Sequence, residues 1–415
     1  MSEELKRDDD DGSPPAKRVR FATTTNTNEA THLAIVTDHA QLRGDNLTYF
    51  SPAFTYHAFG KEEQIEGYDN LRIEVLFNAF DFSAWLRIQC KDQETRSEDI
   101  RSKLASSLPP DVTEDQEAFV QKLKQDADSD FTPPGTLVSS YQRQVDGTEQ
   151  LFEIYECNLD QNEAAQKLHE NLQTLSLWFI EGADGIDVSD PRWVVYIIYE
   201  RAPSPIVTAK MSFTPVGFVT LFKFRNPLGR KSSSATETHR ICQALIFPAY
   251  QRQGHCERLV EYIYGQVQAN ENVYEVTVED PVPGFSKLRD LVDLAHCKRH
   301  NFFSLAPDAS TSAPPGHGTA SLKPADIDAV QQVLKITQRQ VQRCYECFKL
   351  GWIDKADEAT YKAYRLEVKK RLFKLHAEDL EGMASSERRK AFLDVEFRNL
   401  EAHYEQLHSK LNLHL

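Results

Sequence analysis

The sequence has no run of about 18 consecutive apolar residues, the length that an α-helix needs to cross a lipid bilayer. Its charged, polar N-terminus also lacks the apolar segment that a secretory signal requires. We therefore expect no membrane span, no secretory signal and no membrane partner. The chain has 415 residues, 40% of them hydrophobic, which is enough for two or three domains with a large core.

Cysteine is also sparse, with only seven scattered residues. Cys344 and Cys347 form the one Cys-x-x-Cys pair, and no second pair stands at the spacing of a zinc site. Both cysteines fall inside a helical pattern. We therefore predict reduced, mostly buried thiols and no bound metal.

Basic residues are outnumbered, with 48 Lys and Arg against 63 Asp and Glu, and the formal net charge is −15. The acidic excess lies in the first three quarters of the chain. An acidic body argues against a general nucleic-acid-binding protein, which would have a basic face, so we expect no direct nucleic-acid partner. The charge suits a basic substrate or partner, although a solvated acidic surface is the commoner explanation.

The N-terminal part of the chain shows two segments. Residues 1–28 are too polar to bury a core and are predicted to be a disordered tail. Within it, residues 14–20 (Pro-Pro-Ala-Lys-Arg-Val-Arg) resemble a nuclear import signal, and a merely solvated tail is the alternative. Residues 29–160 are predicted to form an N-terminal α/β domain that includes a hairpin with an Asp146-Gly147 turn.

The remainder of the chain shows three further segments. Residues 161–306 combine helical spacing with continuous apolar runs, which are typical of buried strands. Residues 307–319 are rich in Ser, Thr, Pro and Gly and are predicted to be a linker. Residues 320–415 have apolar positions every three or four residues, which predicts a C-terminal helical domain.

The most informative stretch is residues 240–281. A strand pattern is followed by a turn with a single glycine, Gly254, then by a helix and a second strand that ends in Glu279-Asp280. A strand, a tight turn and a helix direct the free backbone N–H groups of the helix start to one place, where phosphates bind well. Open α/β sheets have their sites at this edge. The stretch therefore predicts a phosphate site beside an acid or base.

Taken alone, these features have simpler explanations. A single glycine between a strand and a helix is more often only a turn. No Gly-Lys-Ser/Thr of a Walker loop follows it, and no Gly-x-Gly-x-x-Gly is present. On spacing alone, Glu279-Asp280-Pro281 is better explained as a turn in which the aspartate caps a helix.

The residues around the turn carry a resemblance to a known family. The form Gln251-x-x-Gly254-x-Cys256 is similar to the acetyl-CoA signature Gln/Arg-x-x-Gly-x-Gly/Ala of the Gcn5-related N-acetyltransferase superfamily. Over roughly residues 31–380, flanking segments resemble, in order, the type B histone acetyltransferase catalytic subunits. These segments are residues 59–68, 178–181, 186–188, 192–193, 242–255, 276–281, 287–290 and 364–372.

The resemblance implies an α+β fold with a mixed-sheet N-terminal domain, a central acetyl-CoA-binding N-acetyltransferase domain and a C-terminal helical bundle. It implies acetyl-CoA as co-substrate, without a metal. The backbone of Ala244, Leu245 and Ile246 would contact the acetyl and pantetheine groups. The turn and helix start would hold the pyrophosphate, through Gln251, Arg252, Gln253, Gly254, His255, Cys256 and Glu257.

The resemblance also implies acetyl transfer to lysine. A free lysine has a pKa of about 10.4, so a carboxylate must take its proton before the amine can attack. Glu279 matches the family's general base, and Glu181 and Asp280 match the acidic residues grouped with it. Glu62, Glu63 and Asp187 are candidates for a groove that binds a Lys/Arg-rich tail, although like-charged clusters are usually solvated faces.

The implied substrate is newly synthesised histone H4, together with histone H3. The implied partner is a WD-repeat histone-binding subunit, and the implied location is nucleus and cytoplasm. Two alternatives are an acetyltransferase that acts on another protein and a non-catalytic histone-binding subunit. Cys256 departs from the motif, because it stands where Gly or Ala is expected. It is interpreted either as a thiolate stabilised at the helix start, which would allow an acetyl-cysteine route, or as an inert buried thiol.

Overall fold

The computed structural model describes residues 23–43, 47–145, 147–203, 210–226, 235–303 and 322–412. These residues form an N-terminal region with small sheets, a central six-stranded sheet and a C-terminal group of helices. The predicted α+β class is therefore confirmed. The linker predicted at residues 307–319 and the basic run at residues 14–20 lie outside the described residues.

The N-terminal region is built around a four-stranded sheet with the strand order β2-β5-β6-β8. Its central strand β5 separates two cores, because Ile73, Val75 and Phe77 face one cluster while Leu76 faces another with Trp85. The elements are β1 (Thr24–Asn26), α1 (Thr27–Ala30), β2 (Thr31–Val36), α2 (Tyr56–Phe59), β3 (Gln64–Glu66), β4 (Tyr68–Asp69), β5 (Arg72–Asn78), β6 (Ala84–Gln89), β7 (Asp92–Gln93), α3 (Ile100–Leu104), β8 (Val112–Thr113) and α4 (Gln116–Asp128).

The end of the predicted disordered tail is ordered. Strand β1 pairs antiparallel with β3, from Thr24 opposite Glu66 to Asn26 opposite Gln64. The Asn26 side chain then caps α1 by accepting a hydrogen bond from the backbone N–H of Glu29. Pairing and capping satisfy backbone groups that a tail would leave to water, so residues 24–28 are part of the fold, contrary to the prediction.

The central sheet has the strand order β14-β13-β12-β11-β10-β9. All neighbours are antiparallel except β13 and β14, which are parallel and are connected by helix α7. The elements are β9 (Thr136–Val145), β10 (Thr148–Asn158), α5 (Glu163–Leu172), α6 (Thr174–Phe179), β11 (Trp193–Pro203), β12 (Met211–Arg225), β13 (Glu237–Ile246), α7 (His255–Ala269), β14 (Val273–Val278) and α8 (Pro283–Arg299).

The hairpin predicted around Asp146-Gly147 is confirmed as β9 and β10, but it does not belong to the N-terminal region. Strand β10 pairs with β11 from Leu151 opposite Arg201 to Asn158 opposite Val194. The boundary predicted at residue 160 is therefore wrong, because these hydrogen bonds make the hairpin the outer pair of the central sheet. Local turn chemistry identified the hairpin, whereas the residues of its partner strand are 36 to 50 positions away in sequence.

The C-terminal helices share a core with the central sheet. Val341 and Tyr345 of α10 and Tyr404 of α13 lie in one cluster with Leu259 of α7 and Val276 of β14. The helices are α9 (Pro324–Leu334), α10 (Gln338–Trp352), α11 (Glu358–Leu375), α12 (Ala377–Glu381) and α13 (Ser386–Leu411).

Buried ion pairs cross the seam between α8 and the C-terminal helices. Arg343 Nε donates to Asp290 Oδ1 at 2.8 Å, and His403 Nε2 lies 3.1 Å from Asp290 Oδ2. Although burial opposes it, these hydrogen bonds lower the pKa of Asp290 to about 2. Deeper in the bundle, Glu346 is bound by Arg371 and Tyr404.

The seven cysteines are all free thiols, and four of them, including Cys344 and Cys347, are buried. Among the described residues, no three metal-ligating side chains are grouped as a metal site would require. Within the same residues, every helix is too short or too polar to cross a membrane.

Candidate functional site

The site is created where β13 and β14 separate. Their parallel pairing runs from Glu237 opposite Val273 to Ile241 opposite Val278 and then ends. Beyond this point β13 continues to Ile246, paired on its other side with β12. The last part of β13 therefore presents a backbone edge toward the gap between the two strands.

Ala244, Leu245 and Ile246 occupy this edge. They pair with Val219, Phe218 and Gly217 of β12, and β14 does not pair with them on the other side. Gly217 is required there, because a Cβ atom at this position would lie 2.4 Å from the carbonyl oxygen of Leu245. The side chains of the three residues pack into the cores on the two faces of the sheet. Leu245 is buried, whereas Ala244 and Ile246 are half-buried, and the contact of their backbone with a cofactor stays a prediction.

The turn after β13 leads into α7. Gly254 adopts φ 84°, in the left-handed region, and no side chain of the described residues caps the helix at this position. Gln251 and Gln253 shape the turn, because their side-chain amides donate to the carbonyl oxygens of Ile246 at 2.9 Å and Ala249 at 3.0 Å. The backbone N–H groups at the start of α7 are thus left for an anion, which the helix dipole favours.

The side chain of His255, the first residue of α7, is directed into the core. Its Nδ1 lies 2.7 Å from the hydroxyl oxygen of Tyr141, and its ring centroid lies 4.5 Å from that of Phe152. Burial, with a smaller contribution from the Arg143 charge, lowers the pKa of His255 to about 4. The imidazole is therefore neutral near pH 7 and positions the helix, while the backbone of His255 remains part of the turn.

Cys256 does not become a thiolate. Burial, together with the neighbouring charge of Glu257, raises the pKa of Cys256 to about 12. The helix start does not compensate for this desolvation. Of the two interpretations of this residue, the structure therefore favours the inert thiol, and we reject the acetyl-cysteine route.

Glu279 stands at the mouth of the gap. Its backbone N–H donates to the carbonyl oxygen of Ile241 at 2.9 Å, and its side chain is 49% exposed. Arg240 Nη1 lies 3.8 Å from Glu279 Oε1, and the Arg240 guanidinium rests on the Phe224 ring. Burial and the adjacent Glu279 carboxylate raise the pKa of Cys242 to about 12. Glu279 is thus held beside β13 while its carboxylate reaches solvent.

Glu181 and Asp280, the residues grouped with Glu279, are both exposed. Asp280 follows Glu279 directly, with φ 32°. The loop after Glu181 is fastened to the same end of β13, because Gln243 Nε2 donates to the carbonyl oxygen of Asp184 at 2.8 Å. The N–H of Gly182 donates to the Tyr56 hydroxyl at 3.0 Å. The fold thereby brings segments about 100 residues apart to one edge of the sheet.

The three residues predicted to bind the substrate, Glu62, Glu63 and Asp187, differ in their exposure and hydrogen bonding. Glu63 is half-buried, and its carboxylate accepts hydrogen bonds from the N–H of Thr55 at 2.6 Å and the side chain of Asn28 at 2.6 Å. We therefore assign Glu63 to holding this loop and correct its predicted substrate role. Glu62 and Asp187 are exposed, and their substrate role stays a prediction.

Several residues of this site were missed in the sequence. Gln243 fastens the Glu181 loop, Arg240 pairs with Glu279, and Tyr141 and Arg143 reach the helix start from β9. Gln243 and Arg240 stand inside the recognised strand, so their alternation along it was an available signal. No sequence signal pointed to Tyr141 and Arg143, because only the order of strands in the sheet places β9 near α7.

The arrangement fits an acyl-CoA thioester. The open edge of β13 suits the amide groups of a pantetheine arm, and the uncapped start of α7 suits a pyrophosphate. The exposed carboxylate of Glu279 at the mouth suits an incoming ammonium group, which must lose a proton before its nitrogen can attack. These features lie on consecutive segments of one α/β unit.

Comparisons with known proteins agree with this geometry. Residues 23–181 match the family described as "Histone acetyl transferase HAT1 N-terminus". The histone acetyltransferase type B catalytic subunit of Neurospora crassa is 30% identical over 92% of this chain and 87% of its own length. That of Kluyveromyces lactis is 30% identical over 94% and 92%, and the human protein is 28% identical over 84% and 79%. The chain therefore belongs to the family of histone acetyltransferase type B catalytic subunits and is an acetyltransferase.

Proposed function

We propose that this histone acetyltransferase moves the acetyl group of acetyl-CoA to lysine side chains in the N-terminal tail of newly synthesised histone H4. The reaction is a direct attack in a ternary complex, with Glu279 as general base. The single observation that carries the proposal is the exposed carboxylate of Glu279 at the point where β13 and β14 separate. The glycine turn that begins α7 starts from the same end of β13.

The proposed chemistry requires a neutral lysine. With a pKa of about 10.4, a free lysine is almost entirely protonated near pH 7. Glu279 accepts a proton from the ammonium group, directly or through water, and the amine nitrogen then forms a bond to the thioester carbonyl carbon. The carbon–sulfur bond breaks, and CoA leaves as the thiol after taking up a proton. Backbone groups at residues 244–246 are the candidates for orienting the thioester.

The choice of a basic tail as substrate is supported by charge. The exposed carboxylates of Glu62, Glu181, Asp187 and Asp280 are carried by loops of the N-terminal and central regions, and the whole chain carries a formal charge of −15. Such a surface attracts a Lys/Arg-rich segment and speeds its association at low ionic strength. The choice of H4, rather than another basic protein, rests on the family.

We also propose a WD-repeat histone-binding subunit and histone H3 as further components of the complex, and a location in both nucleus and cytoplasm. These proposals rest on the family and on the basic run at residues 14–20. Purification of the protein from a cell extract, followed by identification of co-purifying chains, tests the first. Imaging of the protein with and without residues 14–20 tests the second.

The deciding experiment uses purified protein, labelled acetyl-CoA and free core histones. We expect label on H4, and Glu279→Gln should lower kcat/KM by about 10²- to 10⁴-fold near pH 7. The deficit should shrink as pH rises toward the lysine pKa, since hydroxide then removes the proton. Glu271→Gln is the matched control, because Glu271 is exposed near the opposite end of β14.

Each outcome separates the alternatives. Label on a different protein would favour another substrate, and binding of histones without any transfer would favour a non-catalytic subunit. Turnover near pH 7 that is unchanged in Glu279→Gln would remove Glu279 as the base.

A further inference from the structure

We infer that Arg143, on the outermost strand of the central sheet, is a further cofactor-binding residue that holds the pyrophosphate of the CoA thioester together with the start of α7. This inference rests on the proposed use of acetyl-CoA and adds a residue that lies outside the glycine-turn motif. It assigns part of the site to the β9–β10 hairpin, about 110 residues before the turn.

Arg143 lies beside the glycine turn. A Cβ atom built on Gly254 would lie 3.0 Å from Arg143 Nη1. The guanidinium group therefore lies directly against the residue from which α7 begins, beside the N–H groups that the helix leaves without partners. A glycine at this position leaves room for the guanidinium as well as for the left-handed backbone of the turn.

One donor of the Arg143 guanidinium lacks an acceptor within the described part of the chain. Arg143 Nε is buried and has no hydrogen-bond partner among the described residues. A buried donor of a charged group without a partner is unfavourable, and a ligand that supplies an acceptor to this guanidinium would reduce that cost. A guanidinium presents its donors as a planar fork, which matches phosphate oxygens.

The hairpin holds Arg143 in place through Tyr141. These two residues are two positions apart on β9, so they project from the same face of the strand. The Tyr141 ring stacks on Phe152 of β10 with the centroids 5.4 Å apart, and its hydroxyl oxygen lies 2.7 Å from Nδ1 of His255. The contact ties β9 to the first residue of α7 and sets the distance between Arg143 and the turn.

The guanidinium of Arg143 would meet a dianionic pyrophosphate in a neighbourhood of mixed charge. The imidazole of His255 is neutral near pH 7, and its neighbours in the helix are Glu257, which is half-buried, and Arg258, which is exposed. The combination of one guanidinium and several backbone N–H groups provides more donors than the helix start alone. It would let the enzyme prefer a full CoA thioester over a thioester that lacks the pyrophosphate.

The test compares Arg143→Gln with the wild type in two assays. Binding of CoA is measured by calorimetry in the absence of histone, and KM is measured for acetyl-CoA and for S-acetylpantetheine, which has no phosphate groups. We expect Arg143→Gln to weaken CoA binding by about 10- to 100-fold, the effect of one or two hydrogen bonds to a charged group. KM for acetyl-CoA should rise in parallel, while kcat/KM for S-acetylpantetheine and KM for the histone should not change.

Arg258→Gln is the matched control, since it removes an exposed arginine of α7 that pairs with Glu261 at 3.6 Å. Arg143→Lys, which keeps the charge, should retain part of the affinity and provides a second variant if Arg143→Gln does not fold. CoA affinity of Arg143→Gln within twofold of the wild type would overturn the inference, as would an equal loss in Arg258→Gln or with S-acetylpantetheine. A wild type that binds no CoA would instead contradict the proposed function.

Discussion

The carboxylates at the mouth of the site and those buried among α8 and the C-terminal helices have opposite environments. Asp290 at the seam and Glu346 deeper in the bundle are buried, and each is bound by an arginine and further side chains. At the mouth, Glu279 is half-exposed, with Arg240 Nη1 3.8 Å from its carboxylate and the Cys242 thiol adjacent to it. A buried, fully bonded carboxylate holds two elements together, whereas an exposed one can exchange protons and attract cations.

The largest effect on stability is expected at Glu346, which is buried among the C-terminal helices. Glu346→Gln removes the charge that faces Arg371 and leaves that guanidinium buried without its partner. We expect the free energy of unfolding to fall by about 3–5 kcal/mol, measured by urea denaturation. Glu405→Gln, which breaks an exposed pair with Lys355, is the control and should cost less than about 1 kcal/mol. If both variants lost the same free energy of unfolding, the distinction between the buried and the exposed ion pair would be contradicted.

Glu62 and Glu63, which are adjacent in sequence in the N-terminal region, allow the same comparison of an exposed with a hydrogen-bonded carboxylate, and the expected effect is smaller. Glu63→Gln should lower the free energy of unfolding by about 1–3 kcal/mol, because its carboxylate accepts from the N–H groups of Thr55 and Tyr56 and from Asn28. Glu62→Gln should leave stability unchanged and raise KM for a basic peptide. Denaturation and peptide kinetics on both variants check this, and exchanged phenotypes would return Glu63 to the substrate groove.

His169 tests what happens when a buried polar group has no partner. Neither ring nitrogen has a hydrogen-bond partner among the described residues, and burial lowers the pKa of His169 to about 3. The native histidine stays neutral while the unfolded one binds a proton below about pH 6.5, so stability is lost as pH falls from 6.5 toward 3.

His169→Leu should therefore reduce the pH dependence of the unfolding free energy by about 1.4 kcal/mol per pH unit near pH 5. Urea denaturation between pH 4 and 7 measures the slope. Buried His239, His255 and His296 contribute with the same sign, whereas Asp293, with a pKa raised to about 6 by burial, opposes them. The difference between variant and wild type isolates His169, and identical slopes would contradict its titration.

The smallest effect is expected at Cys256, which lies at the site but behaves as a core residue. Because burial raises the pKa of its thiol to about 12, the thiolate is negligible near pH 7. Cys256→Ala should change kcat/KM by less than about threefold, and iodoacetamide should not inactivate the native wild type through this residue. Loss of activity comparable to that of Glu279→Gln would restore a nucleophilic role.

The hairpin, the strand–turn–helix unit at residues 240–281 and the helical C-terminal segment were all predicted from local patterns and are present in the structure. The folding of residues 24–28 and the place of the hairpin in the central sheet were not. Both depend on strand pairing between segments that are distant in sequence, for which turn residues and hydrophobic periodicity carry no information. The role of Glu63 was misassigned for a related reason, because a carboxylate that accepts backbone N–H groups has the same sequence signature as a free one.

By itself, the sequence determined the family, the motif at Gly254 and the identity of Glu279 as candidate base, since these depend on residue types at short, fixed spacings. Only the tertiary structure decided which of several carboxylates remain exposed, that Cys256 is a partly buried thiol with a raised pKa and that Arg143 reaches the turn. Burial and unsatisfied hydrogen bonds are properties of the packed chain. Both properties follow from the fold, in which β9 is the outermost strand of the central sheet and contacts the first residue of α7.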